Sequence, residues 1–182
     1  NTIAAADIKI NGFNALAADF TTDLSGSTVN TAKTIADAIN ANTGVHGAEV
    51  NAYNTLTSDN MGTFAMTQTF TINGETVALA SSLAGLVTNI NEAVSGVSAV
   101  QNADNTITLS NTTGDDIIIA SNSAAVGFTA GTYTGFLDVK NLDGTGVRVE
   151  AGSVANGYTG GTGTIDDVKA FGLNESSVAG VV

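Results

Sequence analysis

The side chains that could carry chemistry in this chain are few. His46 is the only histidine and there is no cysteine, so neither a histidine-based triad nor a multi-histidine or thiolate metal centre can be assembled. His46 is expected to be a turn residue after the first helix. Two adjacent carboxylate pairs remain, Asp115-Asp116 and Asp166-Asp167. Paired carboxylates serve glycosidases, but such sites also need a sugar-stacking surface, and the chain has no Trp and three Tyr. Asp115-Asp116 therefore reads as a solvated loop, with weak calcium binding as its alternative. Asp166-Asp167 reads as an acidic pair at the positive end of a helix. Gly160-Gly161-Thr162-Gly163 lacks the Lys that follows a phosphate-cradling loop and sits in acidic surroundings, so it reads as a flexible loop. The sequons at Asn111 and Asn174 are expected by chance in a chain so rich in Asn and Thr. No catalytic, cofactor-binding or metal-ligating residue is expected, and no enzyme activity.

The bulk composition narrows the partners. Charged residues make up 12%, about half of what a typical soluble domain carries, so Thr, Asn, Ser and Gly must cover much of the surface. The formal net charge of −12 repels nucleic-acid phosphates and anionic lipid headgroups alike, and no apolar run approaches the length of a membrane span. Nucleic-acid and membrane binding are therefore not expected. Residue 1 is Asn rather than Met, and the reading is of a piece of a larger protein whose export or polymerising segments lie outside it.

The elements that must position these groups are written twice. Ile10-Asn11-Gly12 returns as Ile72-Asn73-Gly74, 62 positions later (72 minus 10). Each copy is followed by a helical pattern ending in Ile-Asn, at Ile39-Asn40 and Ile90-Asn91, and then by a small residue before Gly-Val, at Thr43-Gly44-Val45 and Ser95-Gly96-Val97. The spacing from Ile10 to Ile39 is 29 and from Ile72 to Ile90 is 18, a difference that an insertion around residues 19–29 absorbs.

Local physics supports the division. Asn-Gly favours the positive φ angles of a type I′ turn, so residues 7–10 and 69–72 should each open a hairpin. Ala32, Ile35, Ala36 and Ile39 fall at helical spacing behind Asn30 or Thr31 as N-cap. Leu83, Leu86, Val87, Ile90 and Val94 do the same behind Ser81 and Ser82. Residues 97–101 and 106–110 should pair across 102–105, and Ile117-Ile118-Ile119 reads as a buried strand.

Further hairpin arms are expected at 136–141 and 147–150 around Asp143-Gly144. A short helix should follow at 165–171, with Thr164 and Asp167 forming its cap, and 158–163 should be a mobile loop. The fold class is α+β: tandem small modules, each of antiparallel hairpins packed on one short amphipathic helix, at 1–62 and 63–126. A C-terminal β-rich segment with a short helix, 127–182, completes the chain.

At Ile10-Asn11-Gly12, Ile39-Asn40 and Thr43-Gly44-Val45, and again at Ile72-Asn73-Gly74, Ile90-Asn91 and Ser95-Gly96-Val97-Ser98-Ala99, the chain resembles the flagellin IN module. That module occurs in the variable outer domains of bacterial flagellins and in related hook-associated and filament-cap proteins. The likeness covers roughly two thirds of the chain and is cleaner in the second copy; in the first, His46-Gly47-Ala48 interrupts the rhythm. The resemblance implies an extracellular, structural domain on the outside of a flagellar filament. It would be joined to other flagellin subunits through segments absent from this fragment, which is expected to be monomeric by itself. A cap or hook-associated protein is the nearest alternative, and a secreted adhesin or carbohydrate-binding module is the alternative of another class.

Overall fold

The computed structural model describes residues 2–21, 31–120 and 126–176. The fold is α+β, with antiparallel pairing throughout the registers described. In chain order the elements are β1 (Thr2–Ile3), β2 (Ile8–Ile10), β3 (Phe13–Asn14), β4 (Phe20–Thr21), α1 (Ala32–Asn40), α2 (Thr43–His46) and β5 (Ala48–Thr57). Next come β6 (Phe70–Ile72), β7 (Glu75–Val77), α3 (Leu83–Ala93), β8 (Ser98–Gln101), β9 (Ile107–Asn111), β10 (Ile117–Ala120) and β11 (Gly131–Tyr133). The chain closes with β12 (Phe136–Asn141), β13 (Val149–Ala151) and α4 (Ile165–Ala170).

These elements divide into two compact units, and the boundaries differ from the expected 1–62, 63–126 and 127–182. One unit comprises Asn1–Ala52 together with Phe136–Val182; the other is Tyr53–Gly135. The C-terminal segment from Phe136 on is the second half of the first unit, because its apolar residues complete that unit's core. Val149, Ala151, Val168, Phe171 and Leu173 are buried with Ile3, Ile8, Ile10, Ile35, Ile39 and Val50. The arms expected to pair around Asp143-Gly144 go separate ways: β12 lies beside β5, and β13 pairs with β2.

In the first unit the Asn11-Gly12 turn, with φ of 54° and 87°, joins β2 to β3, and β13 flanks β2 on its other side. Helix α1 starts at Thr31, whose hydroxyl accepts from Thr34 N, and it buries Ala32, Ile35, Ala36 and Ile39. The alternative cap Asn30, and residues 22–29 of the expected insertion, lie outside the described residues. Phe20 meets Phe171 edge to face at 5.1 Å between ring centroids. Helix α4 begins with the reciprocal capping box expected of Thr164 and Asp167.

In the second unit the Asn73-Gly74 turn, with φ of 52° and 85°, joins β6 to β7, and β10 flanks β6. Ser82 caps α3 by accepting from Gly85 N, and Leu83, Leu86 and Ile90 face the core with Phe70, Ile72, Ile107, Leu109 and Ile117. Each fully buried branched side chain in these cores contributes roughly 1.5–3 kcal/mol.

Superposing the order of elements makes the units two copies of one plan. The sequence β2, β3, α1, β5, β12, β13 in the first corresponds to β6, β7, α3, β8, β9, β10 in the second. The second unit begins within β5, after Ala52, and ends at Gly135, just before β12; at the corresponding place the second copy has only the turn 102–105 between β8 and β9. An antiparallel hairpin tip is exposed and carries few core contacts, so an insertion there leaves the core intact.

Candidate functional site

The polar groups that recur between the units are asparagines, and each recurs with the same partners. Asn11 N donates to Arg148 O (2.8 Å) and Arg148 N donates to Asn11 Oδ1 (3.1 Å). Asn73 N donates to Ile118 O (2.8 Å) and Ile118 N donates to Asn73 Oδ1 (2.7 Å). Each turn asparagine therefore extends the ladder between its hairpin and the third strand by one rung. At the helix ends, Asn40 Nδ2 donates to Val50 O (2.7 Å) while Asn40 Oδ1 accepts from Val50 N (2.8 Å). Asn91 does the same with Ala99 O (3.0 Å) and Ala99 N (2.7 Å). A carboxamide offers one donor and one acceptor side by side, as a neighbouring strand would, so it satisfies the outward backbone groups of that strand.

The clamp at Asn40 and Asn91 corrects the fourth repeated landmark. Val50 corresponds to Ala99, which places Gly47, not Gly44, opposite Gly96: both have positive φ, 71° and 76°. Ala48 and Val97 then match as buried residues, whereas Val45 is 54% exposed. The first copy is longer by two residues here, and the longer connection contains the single turn α2. His46 fills the gap. It is 2% exposed, its Nε2 donates to Ile39 O (3.0 Å) and its Nδ1 accepts from Ala48 N (3.2 Å). The expected turn residue is thus a buried one, and both ring nitrogens are engaged in holding the connection.

A further repeat escaped the reading of the sequence. Asn141, Gly144 and Val149 correspond to Asn111, Gly114 and Ile119, with the same spacing and with φ of 76° and 75° at the glycines. Likewise Phe171-Gly172-Leu173 corresponds to Val126-Gly127-Phe128, the flanking residues buried in each unit and both glycines at positive φ. The signal was present as Asn-x-x-Gly before a β-branched run and as an apolar-Gly-apolar tripeptide.

These correspondences decide the carboxylate pairs. Asp115-Asp116 stands where the other unit has Thr145-Gly146, so the fold does not require carboxylates there. Thr113 Oγ1 donates to Asp115 Oδ2 (2.6 Å), and the first unit reverses the pair, with Thr145 donating from its hydroxyl (2.7 Å) and its amide (3.0 Å) to Asp143. Those Thr145 bonds hold the Asp143 carboxyl below its ordinary value. Burial, then the neighbouring Asp115 charge, pushes Asp116 up. Asp116 Oδ1 and Asn54 Oδ1 are buried without a hydrogen-bond partner, while Asn54 Nδ2 donates to Asp115 O and Tyr133 O. Among the described residues no group of three or more His, Asp or Glu side chains is arranged to hold a metal ion. Asp166 and Asp167 lie in the first turn of α4, and Asp167 is consumed by its capping box.

Compared with known proteins, the chain matches no family model and no curated sequence. The geometry alone must therefore carry the function.

The loop expected to be mobile at 158–163 is tied down. Gly163 N donates to Gly152 O, Thr162 Oγ1 donates to Asp7 Oδ1, and Ser153 bridges Thr162. A Cβ on Gly163 would lie 2.2 Å from Asp7 O, so its glycine serves close backbone approach. Of the sequons, Asn111 is buried, its carboxamide donating to Asp115 O and accepting from Gly114 N, and Asn174 is exposed.

Two hollows of about 420 and 560 Å³ fall at corresponding places, beside His46, Gly47 and Asn141 in one unit and Ser95, Gly96 and Asn111 in the other. Ligand pockets of that size are mostly apolar and enclosed. These are open and polar, and their asparagines are spent on hydrogen bonds within the fold. No helix among the described residues is long and apolar enough to cross a membrane.

Proposed function

We propose that this chain is a structural module displayed at a surface, the variable outer part of a bacterial flagellin. The observation that carries the reading is the nested repeat: one hairpin-helix plan, held by the same asparagine clamps, occurs twice, the second copy inserted at a hairpin tip of the first. Such an architecture adds a second folded copy while keeping the residues that specify the first. The one histidine, His46, is spent on backbone hydrogen bonds, which favours a mechanical and presentational role over an enzymatic one. Loops carrying Asp115-Asp116 in one copy and Thr145-Gly146 in the other illustrate how such a surface varies while its clamps persist. An extracellular location on the filament follows from this reading, as does assembly through segments outside the fragment.

Immunogold electron microscopy of the source bacterium with antibodies raised against the fragment tests it. Labelling along the whole filament shaft is expected. Labelling confined to the tip or the hook junction would move the assignment to a cap or hook-associated protein, and absence from the flagellum would overturn it. Selective binding on a glycan array would instead favour an adhesin.

A further inference from the structure

We propose that Lys9 and Asn14 form an intramolecular isopeptide bond, a covalent rung between β2 and β3, with Glu150 as the proton acceptor. The three residues occupy adjacent positions across the sheet. The register pairs Glu150 with Lys9 and Lys9 with Asn14, which puts all three on one face of β13, β2 and β3. Lys9 Nζ already donates to Asn14 Oδ1, so the amine stands next to the carboxamide carbon it would attack.

The surroundings suit the reaction. Tyr158 lies over the amine, with Nζ 4.9 Å from the ring centroid, and the glycine at 152 packs close to the lysine stem. Glu150 has a side chain only 12% exposed. Its Oε1 accepts from Tyr158 OH and from Arg148 at 3.0 Å, which fixes the carboxylate over this face. Asn14 is held from behind, because Asn42 Nδ2 donates to its backbone carbonyl at 2.7 Å.

The step balances without a co-reactant. Glu150, the cross-strand neighbour of Lys9, swings from Arg148 to take a proton from Nζ, and the neutral amine adds to Cγ of Asn14. As the Cγ–Nδ2 bond breaks, the new amide nitrogen gives up its second proton, and the departing nitrogen takes both protons by way of Glu150 and leaves as ammonium. Nothing is oxidised or reduced. The second unit supplies an internal control, since the corresponding residues are Thr71, Thr76 and Ala120, which cannot react this way. The trio is therefore not demanded by the fold.

Intact-mass spectrometry of the purified chain tests the proposal, combined with tryptic mapping. The expected mass is that of the sequence less one ammonia, with complete loss of tryptic cleavage after Lys9 and a branched peptide joining Lys9 to Asn14. A succinimide at Asn11 or Asn73 would lose the same mass, so Lys9→Arg decides between them: the full sequence mass must return. Glu150→Gln should leave the uncrosslinked form predominant. A wild-type chain at its full sequence mass, or ammonia loss that persists in Lys9→Arg, would overturn the proposal.

Discussion

The first and second units share a plan and differ in continuity. Tyr53–Gly135 is one uninterrupted stretch, whereas the first unit must bring Asn1–Ala52 and Phe136–Val182 together across it. Closing a long loop costs conformational entropy that grows slowly with length, so a folded insert whose ends are close imposes less than a disordered one. The comparison teaches that the repeated asparagines and glycines specify the unit, since they survive where chain continuity does not.

The largest expected effects come from matched core truncations. Ile10 and Ile72 are fully buried at corresponding positions, and changing either to Ala should cost about 2–5 kcal/mol of its unit's stability in urea unfolding. If the correspondence is right, the two costs are similar; a negligible cost for one would break it. Next are the clamps. Asn40→Ala and Asn91→Ala each strand one N–H and one carbonyl of the facing strand, and each should cost about 1–3 kcal/mol.

A smaller effect tests the corrected landmark. Gly47 has φ of 71° and open space around it, so Gly47→Ala should cost about 1–2 kcal/mol through backbone strain alone. Gly44 lies within α2 with no neighbour to meet a Cβ, and Gly44→Ala should be neutral or stabilising. The reverse ranking would restore Gly44 as the partner of Gly96.

The smallest effect is electrostatic and of opposite sign in the two corresponding loops. A raised folded-state pKa means that Asp116 disfavours the folded state when ionised. Its contribution improves as pH falls through that raised value, levelling off below the ordinary 3.8. Asp143, held low, contributes stability above 3.8 that is lost as pH falls through its depressed value. Asp116→Asn should therefore raise stability at neutral pH and flatten the second unit's gain on acidification, as followed by thermal melts between pH 7 and 3. Asp143→Asn should lower stability at neutral pH.

What the sequence made legible was local. Asn-Gly turns, the helix faces at Ile35 and Ile39 or Leu86 and Ile90, and the caps at Thr31, Ser82 and Thr164 depend on residues within a turn or two of each other. What it concealed was long-range. Nothing near Val149 says that its partner is Ile10, and a β-branched run pairs equally well with a near or a distant strand. Gly44 and Gly47 both suit a helix terminator; the clamp register and the positive φ of Gly47 separate them. For the candidate sites, counting His and Cys sufficed to exclude whole chemistries. The burial of His46 and the exchange of Asp and Thr between corresponding loops required the folded chain.

If the first unit is a complete module interrupted at its hairpin tip, it should fold without the insert. The most direct measurement replaces residues 53–135 with the four-residue turn 102–105 of the second unit, Asn-Ala-Asp-Asn, and follows urea unfolding together with amide hydrogen exchange. One cooperative transition is expected, with the amides of Ile8, Ile10 and Val50 protected as in the whole chain. A chain without a cooperative transition, its amides exchanging as in an unfolded peptide, would contradict it.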